Sequence, residues 1–423
     1  MNFVQKDKVA QLHFLRAIAA GGVVLTHARF VLWSGGTAYI EKFPAHTWDL
    51  GDYLLFFADM ITSMGEQRTF LFFMLSGFFI KYSVRNGFSL PGYFCKRLLR
   101  IYPALLVATL LAGVVLYVAV VYVNPAICTN SLREYNSRLV AGFEGLTLVS
   151  LLSTLCCSNR GEYFGLSAQF WSLKHEVIFY LIFPLYNLLS FRHLFILLAI
   201  GTVLSAASGS HTVFCQLFFL VGMLFYQGYE RGLRLPCSSP AWLYYSAFAG
   251  LYLSIYLLSK YNYSYSASLL MVVLTFLALE FLLARSIRVP RAVAWFSQVS
   301  YSVYLNHMWA LLLYYAVLSR VSGELVFYSR WPYYTGAILA VIGSLPGYYF
   351  VEKPALAYLQ RVVIRKRVIP QVFARVYAAA QLLKRHHTGR TTRAALAQSR
   401  PSSAAPAASP FYQEAFSSAK AMT

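Results

Sequence analysis

The chain has 423 residues, of which 58% are hydrophobic, 17% aromatic and only 12% charged. A water-soluble domain carries about a quarter charged residues, so this composition excludes an ordinary soluble surface. The formal charge of +21 would suit nucleic acid in a soluble protein, but no nucleic-acid motif is present. Much of the excess lies between apolar runs and in the C-terminal tail, where it reads as membrane topology.

The first apolar stretch, Leu12 to Trp33, lacks a small-residue cleavage site and contains Arg16 and His27, so it is read as a mature helix. Further helices are predicted near 67–83, 101–123, 170–190, 193–209, 213–229, 241–259, 266–284, 294–318 and 333–352. A crossing of about 30 Å needs runs of roughly this length, although the fifth and sixth are short. The expectation is an all-α, polytopic transmembrane helical bundle of about ten spans. Lysine and arginine gather between the second and third helices, the sixth and seventh, and the eighth and ninth, and in the tail. All lie on one side if the N-terminus lies there too, so both termini are expected to be cytoplasmic. Residues 1–357 form the predicted integral membrane domain. Residues 358–387 read as a basic juxtamembrane segment, and 388–423, rich in Ser, Ala and Pro, as a disordered cytoplasmic tail.

Ionisable groups inside a span are costly, so each is a functional candidate. At about 1.5 Å per residue, His27 lies roughly 22 Å into the first helix, and Arg16 lies about 16 Å away on the same face. Glu176 is expected about 9 Å below the outer end of the fourth helix, and His307 about 20 Å into the ninth. His27, Glu176 and His307 are therefore expected at similar depth in the outer half of the membrane. A second layer is expected at the cytoplasmic face, where Arg97 and Arg100 precede the third helix and Glu352 ends the tenth. Guanidinium groups suit an anionic ligand because arginine gives forked hydrogen bonds to phosphate. Ser76 reads as a close-packing residue, since no nucleophile elbow surrounds it. His13 and His175 read as interfacial or packing histidines.

Acyl transfer fits both layers. Arg16, Arg97 and Arg100 would hold a phosphate-bearing donor such as acyl-CoA. His27 would act as general base for an acceptor hydroxyl or as a transient nucleophile. Glu176 would orient its imidazole, and His307 would assist proton transfer or orient substrate. No bound cofactor or metal is expected. The six cysteines show no metal spacing, and the adjacent Cys156 and Cys157 cannot form a Cys-x-x-Cys chelate. A bridge from Cys128 to Cys156 or Cys157 is open if that loop is extracytoplasmic.

Six segments in order resemble the membrane acyltransferase type 3 family. They are L-H-F-L-R-A-I-A-A-G-G-V-V-L-T-H, F-F-M-L-S-G-F-F-I, K-R-L-L-R-I-Y-P, F-W-S-L-K-H-E-V-I-F-Y-L-I-F-P, S-Y-S-V-Y-L-N-H and F-V-E-K-P. The resemblance covers residues 9–357. It implies transfer of an acyl group, often acetyl, from acyl-CoA to sugar hydroxyls of bacterial envelope polysaccharides or related lipids. It implies family roles for His27, Arg16, the Arg97–Arg100 pair and Glu176. Many members begin L-D-G-L-R, whereas His13 and Phe14 stand here, as in the branch of stand-alone exopolysaccharide acetyltransferases. That departure leaves Glu176 as the expected partner of His27. No esterase-like domain follows residue 357, so a relay to one is not expected.

The resemblance places the chain in the bacterial inner membrane. Its expected partners are membrane lipid, acyl-CoA and a polysaccharide or lipid-linked oligosaccharide, with a polysaccharide assembly complex also open. The rival reading is a transporter or flippase of a lipid-linked saccharide or acyl group. A third is a scaffold that would not require His27.

Overall fold

The computed structural model describes residues 6–361 except 86, 130–132, 159–162, 234–239, 262–263, 285–288 and 360. The predicted basic segment and tail lie outside the described residues beyond 361, as do Arg234, Arg285 and Arg288. Among the described residues every regular element is helical. The α-helices are α1 (Lys6–Leu32), α2 (Gly36–Lys42), α3 (Leu50–Ile61), α4 (Gly65–Ser83), α5 (Leu90–Val118), α6 (Glu134–Glu144), α7 (Leu148–Leu155) and α8 (Phe170–Leu188). There follow α9 (Phe191–Ser208), α10 (His211–Glu230), α11 (Ala241–Lys260), α12 (Ser264–Ala284), α13 (Arg291–Ser322), α14 (Trp331–Pro346) and α15 (Lys353–Tyr358). Wider π-helical turns extend α5 over Ala119–Val123 and join α14 to α15 over Gly347–Glu352.

Each of the ten predicted helices falls on one of these. Among the described residues, seven helical segments are long and apolar enough to cross a membrane, or eight if the α6–α7 pair, bent by 107°, counts as one. The predicted helices at 67–83, 170–190 and 294–318 fall short of that measure. They correspond to α4, α8 and α13, which carry Arg68, Glu176 and His307, so their polar content is what sets them apart. Arg97 and Arg100 lie inside α5, which begins at Leu90 rather than near 101.

Three apolar clusters organise the bundle around α1, α4 and α13. One joins α4, α5, α8 and α10, a second joins α1, α5, α13 and α14, and a third joins α1, α4, α11 and α12. The tightest crossing is α4 against α10. A Cβ on Gly222 would lie 1.9 Å from the Met74 carbonyl oxygen, and one on Gly77 would lie 2.1 Å from that of Phe219. Two glycines facing each other's helix let the backbones touch, as in small-residue membrane packing. Beside them, Phe70 stacks on Phe218 at 4.4 Å, and Phe219 is sandwiched between Phe73 and Phe179 at 4.6 and 4.3 Å. α9 and α11 instead turn apolar side chains outward, with Val203 68% and Trp242 65% exposed. Such faces suit contact with lipid.

Helix ends then place the polar residues. Gly209, at φ 63°, ends α9 in the left-handed region, and the Ser210 hydroxyl accepts from the Val213 N–H to start α10. This short turn leaves His211 on the first turn of α10. At the end of α1 the carbonyls have no helical partner. Arg133 supplies one, donating to the carbonyls of Phe30, Val31 and Trp33 at 2.6, 3.0 and 2.6 Å. At the same end Asp59, wholly buried, pairs with Arg330 at 2.7 Å and accepts from the Tyr333 hydroxyl, while Arg29 donates to its carbonyl. Asp59 reads from the sequence as a loop acid; in the structure it locks α1, α3 and α14 together. Cys128, Cys156 and Cys157 are free thiols, so the bridge left open by the sequence is not formed.

Candidate functional site

His27 and His307 come together although 280 residues separate them. The His307 Nδ1 lies 3.0 Å from the Val303 carbonyl oxygen. A carbonyl only accepts, so His307 Nδ1 carries the proton and its Nε2, in the neutral ring, is an acceptor. That Nε2 lies 2.7 Å from His27 Nδ1, which therefore donates. His27 is left with the lone pair of Nε2. The two rings are stacked, with centroids 5.0 Å apart and 15° between planes. His307 is fully buried, whereas His27 is half-buried and lines a cavity. One backbone carbonyl thus fixes the tautomer of two imidazoles in series, the service that a carboxylate performs in a serine-protease triad.

Glu176 is not the partner of His27. Its carboxylate accepts from Ser76 Oγ at 3.2 Å and from the Tyr180 hydroxyl. It lines a different cavity, together with Arg16, Arg97, Arg100, Ser76 and Tyr301. The expected common depth of His27, Glu176 and His307 fails because α8 starts deep in the bundle. Gln169, just before α8, donates to the Leu305 carbonyl at 2.9 Å, and the Tyr304 hydroxyl donates to the Gln169 carbonyl at 2.7 Å. The start of α8 is therefore level with the middle of α13. Seven residues further on, Glu176 lies about 10 Å nearer the end of the bundle at which α1 begins.

Arg16, Arg97 and Arg100 do meet in that cavity. Arg97 lies over the Tyr180 ring at 4.9 Å, and its Nε is buried without a hydrogen-bond partner. Glu352 is buried, accepts from Ser302 Oγ at 2.5 Å and feels the charges of Arg100 and Arg16. Three guanidinium groups thus face two carboxylates, which leaves the cavity with a cationic surplus. Arg16 and His27 line successive cavities along α1, as a shared helix face requires. Gly22, between them, is covered by Arg68: a Cβ there would meet Arg68 Cδ at 2.4 Å. Arg68 Nη1 in turn donates to the Gly22 and Thr62 carbonyls at 3.1 and 2.8 Å.

The open cavity of His27 is also lined by Thr26, Ser63, Glu66, Trp171 and His211. A third cavity shares Thr26 and Ser63 with it and adds Arg29, Trp33 and Arg133. Tyr304 lines both the arginine cavity and the His27 cavity. It is held by Ser172 Oγ at 2.5 Å and by the Gln169 carbonyl. Tyr304, not singled out from the sequence, stands three residues before His307 and so on a neighbouring position of its helix face. Ser302 and His211 had no such signal, whereas Arg68 is an ionisable group within the helix predicted at 67–83.

A family model described as an acyltransferase domain matches residues 9–349. Over 139 residues the chain is 32% identical to the acyltransferase MdmB of Streptomyces mycarofaciens, covering 31% of this chain and 33% of that protein. Over 133 residues it is 30% identical to an uncharacterized protein of Haemophilus influenzae, covering 29% of this chain and 49% of the other. The chain thus matches a third to a half of the length of these relatives. No solved structure matches it.

Proposed function

The chain belongs to the acyltransferase-3 family, and on that premise we propose that it is a membrane-bound O-acyltransferase. It would move an acyl group, acetyl in the simplest case, from acyl-CoA to a hydroxyl of an envelope polysaccharide or lipid-linked sugar. The observation that carries the reading is the His27–His307 couple, which leaves His27 Nε2 unprotonated beside a cavity.

The donor belongs in the arginine cavity. Arg16, Arg97 and Arg100 would bind its phosphates, and the pantetheine arm would reach past Tyr304 toward His27. This end of the bundle would face the cytoplasm of a bacterium, in the inner membrane, with about ten spans and both termini on that side. The acceptor would enter from the cavity of His27. His27 Nε2 takes the proton of the acceptor hydroxyl as its oxygen attacks the thioester carbonyl. The imidazolium that forms is stabilised by the hydrogen bond from its Nδ1–H to His307. Collapse of the tetrahedral intermediate breaks the C–S bond, and the coenzyme A thiolate takes the proton back from His27. The neutral couple is restored, and the products are an ester and a free thiol. Glu176 and Glu352 hold the arginine layer in this scheme and do not touch the reacting atoms.

The test compares wild type with His27→Ala by ester-linked acetyl on purified surface polysaccharide. The proposal expects loss of acetyl with export unchanged. Acetyl at the wild-type level in the variant would refute it, and loss of all export would favour a transporter.

A further inference from the structure

Beyond acyl transfer, the geometry points to a Zn²⁺-class cation site formed by His175, His211 and Cys215 at the rim of the His27 cavity. One ligand atom from each of these residues lies within 4.8 Å of the others. His211 and Cys215 stand one turn apart on α10 and so share a face. Cys215 Sγ lies 3.7 Å from His211 Nδ1. In a tetrahedron with Zn–N of roughly 2.0–2.1 Å and Zn–S of about 2.3 Å, ligand atoms are about 3.3–3.7 Å apart. The α10 pair already has this separation, and the third ligand atom lies within 4.8 Å of both.

Burial supplies the second observation. Cys215 is fully buried, and His175 is 5% exposed. Packing alone would make a buried imidazole satisfy its ring nitrogens, yet His175 Nδ1 has no hydrogen-bond partner. Its surroundings are rings, with Phe73, Trp171 and His211 set edge-on at 6.3, 5.9 and 5.3 Å. The backbone is pinned where the ligands converge, because Gln216 Nε2 donates to the His175 carbonyl at 3.0 Å. A cation here would staple α8 to α10.

The outer side of the site is acidic. Glu66 Oε1 lies 3.7 Å from His211 Nε2. With His211 ligating through Nδ1, its Nε2–H faces this carboxylate, the usual support of a metal-bound histidine. A thiolate and a carboxylate also balance a divalent charge. Three protein ligands leave a fourth position, and His211 and Glu66 place it toward the cavity that His27 lines. The local sequence shows no metal signature because the ligands come from two helices and only the pair at 211 and 215 is close in the chain.

The test uses full-length protein purified in detergent, loaded with Zn²⁺ and desalted. Wild type should retain about one Zn²⁺ per chain by mass spectrometry. Cys215→Ser and His175→Gln should retain less than roughly a tenth of that, and Glu66→Gln should bind roughly tenfold more weakly in chelator competition. Co²⁺ added to wild-type protein should give a thiolate-to-metal absorption band in the near ultraviolet, a readout that needs no variant and no acyl-transfer activity. Zn²⁺ retention equal in wild type and Cys215→Ser, or Co²⁺ binding without that band, would overturn the inference. His27→Ala should keep its metal, which separates this site from the reaction proposed above.

Discussion

Replacing His307 by leucine tests the reasoning most directly. The substitution removes the acceptor for His27 Nδ1–H, a contact of 2.7 Å between a buried and a half-buried ring. Two things are lost. The neutral imidazole of His27 is no longer confined to the tautomer with a free Nε2. The imidazolium formed in the transition state also loses a hydrogen bond to a charged group, worth about 1.5–3 kcal/mol. At about 1.4 kcal/mol per factor of ten, the rate should fall roughly 10- to 150-fold. The KM for acyl-CoA should stay unchanged, because the arginine cavity is separate from the couple. His307→Gln, whose carbonyl oxygen can accept the same proton, should recover part of the rate. His27→Ala should cost more, about 10²–10⁴-fold, as general-base loss does. The assay follows labelled acetyl passing from acetyl-CoA to polysaccharide in membrane vesicles. A His307→Leu enzyme with wild-type kcat and a raised KM for acetyl-CoA would refute the tautomer argument. So would a Gln variant no better than the Leu variant.

Three further outcomes are expected. Arg97→Ala and Arg100→Ala should each raise the KM for acetyl-CoA by roughly tenfold or more, since hydrogen bonds to charged groups contribute about 1.5–3 kcal/mol; an equal rise in the KM for acceptor would place the donor elsewhere. Asp59→Ala leaves Arg330 without its buried partner, and should lower stability by roughly 3–5 kcal/mol in detergent unfolding, while a variant with unchanged stability would show that the pair is not formed in the folded protein. Gly222→Ala puts a methyl 1.9 Å from the Met74 carbonyl oxygen, and should force α4 and α10 apart at about 1–3 kcal/mol, read as a lowered melting temperature.

Much of the site was legible because it rests on one-dimensional rules. His27 and Arg16 share a face of α1 by helical periodicity alone, and both line cavities along it. The Arg97–Arg100 spacing likewise holds wherever α5 begins. Glu176 shows where such rules stop. Its depth was counted from the start of an apolar run, which assumes that the run starts at the membrane rim. α8 starts instead at a loop hydrogen-bonded to the middle of α13, a contact across 136 residues that no local pattern encodes. The error carried Glu176 to the level of His27 and gave it a role that His307 occupies. Asp59 is a second case: counted from the sequence among the acids of the loops opposite the basic ones, it is placed only by Arg330, 271 residues away.

The sequence by itself determined the all-α architecture and its apolar helices, because apolar periodicity and run length are properties of the chain alone. It also determined which side chains carry charge or imidazole inside those helices. Only the tertiary structure decided how they pair: His27 with His307, Glu176 with Ser76 and Tyr180, His175 beside His211 and Cys215. The reason is physical. A helix fixes the direction of each side chain relative to its own axis, but the rotation and depth of one helix against another are set by close contacts such as Gly77 against Phe219 and Gln169 against Leu305. Those contacts link residues far apart in sequence, and a shift of a single turn, about 5 Å, changes every partner across the interface.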